Sequence, residues 1–452
     1  MRGFLGRVGH GSNACVLGFA LTVSACSSDD RPGAYLDNGV GLPSCDIRSV
    51  SCQRTVFART AALRGQRAER LPKVRTATVE QLMPEFLEIY ASDSNSVTDA
   101  WARVFGPHGL LPDGESSSEI TARAYLENVA AFYDPSNAGI TILDRGRPVD
   151  AVNGPYVLAH EFVHALQDRS VDLAAFRERW VTSTDTSVAT TALVEGEATL
   201  LSSTLALERN GIEPADFDWE LLVSDYMQSV FASMTESEAP LLTATQSVVY
   251  PVGTAYLLQD FIAGGVARIA EVYAEPPRSV LHWVTGAWGA PSLDVETLDC
   301  HPTGAPPGYR GIDHDSLGVA GLFALQGVHL PAEFAWTQSL AVRADSMVLF
   351  AEGDALAESS AVAMAWRIRF DSATSAAQFV ANMNGAPGTW SIELPLGERE
   401  LLIRTASDPS IVSSWSVGCG RADELPRPVQ ALRVRRLVPP RLPPLPRSRV
   451  SR

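Results

Sequence analysis

The chain has 452 residues, 46% of them hydrophobic, enough to bury a substantial core and to leave room for two domains. A formal net charge of -16 excludes a basic face over most of the length, and with it a nucleic-acid partner or a charge-held anionic membrane. Lys73 is the only lysine among the basic residues, a bias that points to genome composition before function.

At the start, Arg2 and Arg7 precede an apolar run from Ala14 to Val23 that is too short to be a comfortable membrane span. Residues 1–25 therefore read as a targeting segment. Val23-Ser24-Ala25-Cys26 resembles a bacterial lipobox, which implies cleavage before Cys26 and lipid attachment there. An ordinary secretory signal with a coincidental cysteine is the alternative. Either one exports the mature chain. Ser27 rather than Asp after the cysteine points to the outer membrane or cell surface, so the expected location is the bacterial cell envelope with a lipid anchor at Cys26. With Cys15 in the signal, Cys45, Cys52, Cys300 and Cys419 remain, an even set suited to disulfides in an oxidising compartment. Three pairings are open. The expected one is Cys45–Cys52, a short local loop, with Cys300–Cys419 clamping the C-terminal region.

Residues 26–75 read as a tether with a partly helical, Arg-rich end. A main domain is expected over 76–298. Leu82, Phe86, Leu87 and Tyr90 recur at helical spacing. Trp101, Val104 and Phe105 mark a short helix before the turn at Gly106-Pro107-His108-Gly109, and a third helix is expected over 118–131. Asp134-Pro135 and Ser136-Asn137 signal a turn, and Ile140 to Leu143 a short strand. That strand is either a plain hairpin strand or an edge strand able to pair with an extended substrate.

The next helix carries His160-Glu161-Phe162-Val163-His164. At 3.6 residues per turn the two histidines lie on one face, where their imidazoles can take adjacent corners of a tetrahedral zinc site. Glu161 lies about 100° further round and can reach a water in the open position. A helix with two water-bonded histidines matches the same five letters. A following helix, about 186–208, with Ser183, Thr184 and Asp185 as cap candidates, carries Glu195 and Glu197. Two residues apart, they are roughly 200° apart on a helix and cannot both face one metal. Glu195 shares its face with small residues (Thr191, Ala192, Ala198, Thr199, Ser202) and is the chosen third ligand. Glu197 is left to orient a ligand histidine, or to be a buried, paired acid. Asp168, four residues after His164, is a second candidate for orienting a ligand.

Tyr250 leads into an apolar helix over 255–263, and His282 follows in Ser279 to Trp283. From residue 299 the Pro- and Gly-rich sequence marks a boundary. A smaller α/β module over 299–424 is expected to hold a helix at 318–325, a strand at 363–370, a helix at 372–383 and a strand at 401–405. Beyond Glu424 there are eight arginines, many prolines and no acid, which reads as a disordered tail over 425–452.

His160, His164 and Glu195 make a His₂Glu set, the ligands of one catalytic zinc with an open position. Glu161 is the expected general base, taking a proton from the attacking water and passing it to the leaving amine. Tyr250 and His282 are the candidate donors for the developing oxyanion. This pattern resembles the gluzincins, the thermolysin-like zinc metallopeptidases. It is more similar still to a group of largely uncharacterised bacterial HExxH proteins, through Gly109-Leu110-Leu111-Pro112, Ala131 to Pro135, Leu158 to Asp168, Ala192 to Thr199, Tyr250 to Gly253, Glu275 to Ser279, Leu281-His282 and Trp366 to Val380. The resemblance covers about residues 75–385. It implies a mostly helical α+β fold with a zincin-like metallopeptidase domain, one zinc ion, and a peptide or protein substrate. One departure is that Glu195-Gly196-Glu197-Ala198 stands where the group has EGDA. Two other expectations compete with a peptidase: a non-enzymatic envelope lipoprotein with a structural or vestigial zinc site, and a zinc hydrolase acting on cell-wall amides.

Overall fold

The computed structural model describes residues 41–93, 96–146, 150–388, 390–393 and 399–426. The targeting segment, Cys26 and the tail from 427 lie outside the described residues. The protein is α+β, 54% helix and 16% strand, so helices predominate as the apolar periodicity requires.

Helix α1 (Val50–Leu63) is capped by Ser49, and the Cys45–Cys52 disulfide ties its first turn to the preceding loop. Strand β1 (Lys73–Thr78) leads to α2 (Val79–Asp93), α3 (Ser96–Phe105) and α4 (Ser117–Asn128). Strands β2 (Ala131–Asp134) and β3 (Gly139–Asp144) complete a sheet ordered β1-β3-β2, with β1 parallel and β2 antiparallel to β3. Side chains alternate across it. Ala131, Tyr133, Ile140 and Ile142 pack with Phe57 and Phe162, while Phe132 and Leu143 pack with Leu82, Phe86 and Leu126.

The expected tether therefore ends early. Val56, Phe57 and Ala61 of α1 are buried against the motif helix, and β1 is part of the sheet, so residues from 41 onward belong to the folded body. Of the two readings of Ile140–Leu143, the hairpin strand holds and the edge strand is corrected: these residues lie in the central strand β3, paired antiparallel with β2, and the strand bordering the motif helix is β2.

The motif helix is α5 (Asn153–Val171), followed by α6 (Leu173–Trp180) and α7 (Thr184–Arg209). Ser183 closes a capping box with Thr186 at the start of α7. Helices α8 (Trp219–Glu236), α9 (Pro240–Ser247), α10 (Val249–Gly264), α11 (Val266–Ala274) and α12 (Val280–Thr285) pack around α7 and one another. Tyr250 is thus in the first turn of a helix that begins earlier than its sequence pattern suggested.

The C-terminal part contains β4 (His301–Thr303), β5 (Tyr309–Asp315), α13 (Gly318–Gly327), α14 (Ala332–Ser339), β6 (Val342–Glu352), β7 (Val362–Phe370), α15 (Ala373–Met383), β8 (Ser391–Glu393), β9 (Glu400–Ala406) and β10 (Gly418–Gly420). Five of these strands form an antiparallel sheet, β5-β6-β7-β9-β8. Strand β4 pairs with β10, and Cys300–Cys419 ties that ribbon together, so both expected disulfides are present.

The boundary at 299 does not separate two cores. One continuous apolar cluster runs from Leu193 and Val252 in the helical part to Phe323, Met347 and Trp366 in the C-terminal part. Polar contacts cross the same junction. The Thr184 amide and hydroxyl donate to Asp315 at 2.7 and 2.6 Å, and the Trp101 indole N–H donates to Asp313 at 2.8 Å.

Candidate metal centre

Helix α7 crosses α5 and brings Glu195 against the histidine face. Glu195 Oε2 lies 3.0 Å from His160 Nε2 and 3.4 Å from His164 Nε2. The donor atoms of these three residues all fall within 4.8 Å of one another, so the group can hold a metal ion, as the helical spacing predicted. Among the described residues no other cluster of this kind occurs. The imidazoles stand nearly perpendicular, 85° apart, with ring centres separated by 4.7 Å.

Glycine explains how α10 reaches the same point. A Cβ on Gly253 would lie 1.9 Å from the Ala192 carbonyl oxygen, and one on Gly196 only 2.5 Å from the Gly253 carbonyl carbon. The two backbones touch where neither residue has a side chain. Tyr250, one turn before Gly253, is thereby set with its ring centre 6.1 Å from that of His160.

The electrostatics follow from burial and proximity. Burial opposes charge on His164, but the Glu195 carboxylate outweighs it and lifts the imidazole to about 9. Burial also opposes charge on Glu195, yet the two imidazoles hold it far below the usual carboxylate range. Glu161 is raised by burial, against the pull of both histidines and a backbone hydrogen bond from Tyr133 on β2. Burial, then the charges of Glu195 and Glu161, push the Tyr250 phenol well above its ordinary value. It keeps its proton and remains a hydrogen-bond donor.

A cavity of about 170 Å³ opens beside His160 and Glu161. Ala130, Ala131, Val157, Val230 and Pro251 supply apolar wall, and Tyr125, Tyr156, Tyr226, Ser229 and Gln246 neutral polar groups. A smaller adjoining recess reaches His164 and Glu195. Among the described residues, no charged side chain other than His160, Glu161, His164 and Glu195 lines either space.

No protein-family model, curated protein or solved structure matches the chain.

His282 does not line the cleft. Its Nδ1 meets Asp294 at 2.9 Å and its Nε2 lies 3.5 Å from the Tyr256 hydroxyl, because the Ser279 cap starts α12 on a different side of α10. Asp168 does not touch a ligand histidine. It accepts from the Tyr133 hydroxyl at 2.9 Å and from the Leu173 amide at 3.0 Å, tying α5 to β2 and starting α6. Glu197 is fully buried and acts one residue removed, through Gln167.

Gln167 was overlooked in the sequence, although it sits three residues after His164 on the same helix face. Its Nε2 donates to the Val194 carbonyl and to Glu197 Oε2, both at 2.9 Å. Its Oε1 must therefore accept, at 2.8 Å, from His164 Nδ1–H. That fixes the tautomer and leaves Nε2 for a metal. The cleft tyrosines 125, 156 and 226 carried no signal, since each recurs with ordinary core periodicity.

Proposed function

We propose that this protein is an extracytoplasmic zinc-dependent peptidase of gluzincin type that cleaves peptide bonds beside uncharged side chains. The observation that carries the reading is the convergence of His160, His164 and Glu195 within 4.8 Å at the end of a neutral cleft that also exposes Glu161 and Tyr250. Two neutral nitrogens and one carboxylate suit zinc, and a His₂Glu set leaves a position open. A zinc ion there would supply Lewis acidity and lower the pKa of its water toward about 7.

The chain's own groups do the rest. Glu161, raised by burial, is suited to take the proton of the attacking water and deliver it to the departing nitrogen. Tyr250, still protonated, offers a donor to the carbonyl oxygen as charge builds on it. The edge strand β2 supplies Ala131 to the cleft wall, where an extended substrate backbone can pair with it. About 170 Å³ is room for a benzene-sized group, since a cavity of about 150 Å³ binds benzene. Away from His160 and Glu161 the described wall offers no counter-charge, so a Lys, Arg, Asp or Glu side chain lying there would be desolvated without compensation.

Export and lipid anchoring rest on residues 1–26. The two disulfides agree with an oxidising compartment. The hydroxyl-rich wall, with Ser229, Ser233, Thr243 and Ser247, also suits a neutral cell-wall amide. Digestion of a blocked-peptide library tests the main reading. The wild type should hold about one zinc per chain and cut beside Phe or Leu. Glu161→Gln should keep the metal and lose at least about 100-fold in rate. A zinc-loaded wild type that cuts no peptide sinks the peptidase reading, and release of fragments from purified cell wall would then redirect it to the wall amide.

A further inference from the structure

Glu197 is the most completely enclosed carboxylate near the site, and donors from three other helices converge on it. Arg64, the residue that caps the C-terminus of α1, donates from Nε to Oε1 at 2.9 Å. Tyr273 of α11 donates to Oε2 at 2.7 Å, and Gln167 of α5 to the same oxygen at 2.9 Å. Arg64 Nη1 also reaches the Leu166 carbonyl at 2.9 Å and the Ser170 hydroxyl at 2.8 Å, both on α5. The guanidinium thus bridges the ligand-bearing helices α5 and α7 from outside both.

We propose that Arg64 is a positioning residue for the metal ligand His164, acting through Glu197 and Gln167. This inference rests on the metal reading of His160, His164 and Glu195. The chain of contacts has a defined direction. Arg64 neutralises and aims the Glu197 carboxylate, which holds the Gln167 amide nitrogen. With the Val194 carbonyl holding the same nitrogen, the amide oxygen is turned to receive His164 Nδ1–H, and Nε2 is left facing Glu195, where it would be available to a metal. Arg64 touches neither the cleft nor any ligand. Its Nε and two of its bonded partners are deeply buried, so the charge pair is there at a desolvation cost that a purely structural helix contact would not need. The segment that carries Arg64 looked like a linker in the sequence. Its fold, stapled by Cys45–Cys52 and laid on α5, is what delivers the guanidinium.

The test uses the full mature chain, loaded with zinc or with cobalt, and compares Arg64→Met, Arg64→Lys and the double variant Arg64→Met/Glu197→Met. Arg64→Met should weaken zinc binding about 10- to 100-fold and shift the visible cobalt bands, as loss of an orienting partner does. Arg64→Lys should recover part of the affinity. The double variant removes both charges together, which a folded interior commonly tolerates, so it keeps the measurement meaningful if Arg64→Met unfolds. It too should bind zinc weakly, because Gln167 then keeps only the Val194 carbonyl and loses the carboxylate that fixes its amide. A folded double variant with wild-type cobalt bands and an affinity within about threefold of wild type overturns the proposal. If the wild-type chain takes up no metal at all, the metal reading itself fails and this inference falls with it; a wild type that binds zinc alongside unaffected variants sinks the inference alone.

Discussion

At the scale of single residues, His164 and Glu195 make an ion pair whose proton competes with any cation. The imidazole is raised to about 9 by the Glu195 charge, despite its burial. Its folded value lies above the ordinary value of about 6.5. The pair's contribution to metal-free stability is therefore complete below that ordinary value and is lost as pH rises through about 9. A zinc ligand has to be neutral, so metal uptake expels this proton. Zinc affinity should climb about tenfold per pH unit from pH 7 and level off near 9. Calorimetry in two buffers of different ionisation enthalpy should read about one proton released near neutrality. An affinity that does not change with pH over that range would show that the pair is not formed in solution. His160, Glu161 and His164 were legible because a fixed spacing on one helix fixes their geometry. Gln167 was legible in principle by the same rule. His282 was not, since its direction depends on how α12 is capped and packed.

At the scale of elements, the crossing of α7 and α10 depends on two glycines in contact. Gly253→Ala would drive a methyl into the Ala192 carbonyl. It should cost about 1–3 kcal/mol, as overpacking does, and move Tyr250 and Glu195 apart. Urea unfolding and zinc stoichiometry read the two effects, and an unchanged variant in both would remove the crossing from the account. The choice of Glu195 over Glu197 was readable from the small residues on its face, but the glycine between them was the stronger clue to close approach. The strands were only half readable. The short apolar run Ile140–Leu143 announces a strand without naming its neighbours, so a hairpin strand and an edge strand were equally compatible with it and only the pairing places it at the centre of its sheet. β1, beginning Lys73-Val74-Arg75-Thr76, and the Arg-rich α1 hid their buried sides behind polar composition.

At the scale of the whole molecule, the Pro- and Gly-rich passage near 302–308 marks a loop on a shared core. Composition reports where the backbone turns, whereas a domain boundary depends on contacts that only folding creates. The two disulfides act over different spans, closing loops with sequence separations of 119 and 7 residues. Chain-entropy arguments give upper values of about 5 and about 2.5 kcal/mol. Replacing Cys300 and Cys419 together by Ser should thus lower stability about twice as much as the same change at Cys45 and Cys52. Urea midpoints of the two double variants check this, and the opposite order would contradict it. Helix α7 is 26 residues and so about 39 Å long. Asp315 grips its first turn, and the Leu42 amide donates to the Leu205 carbonyl near its far end. Mechanically it is a beam clamped at both ends by the two stapled segments, with Glu195 near mid-span. Fixing both ends limits how far the middle can shift, which would keep the carboxylate in register with the histidines opposite.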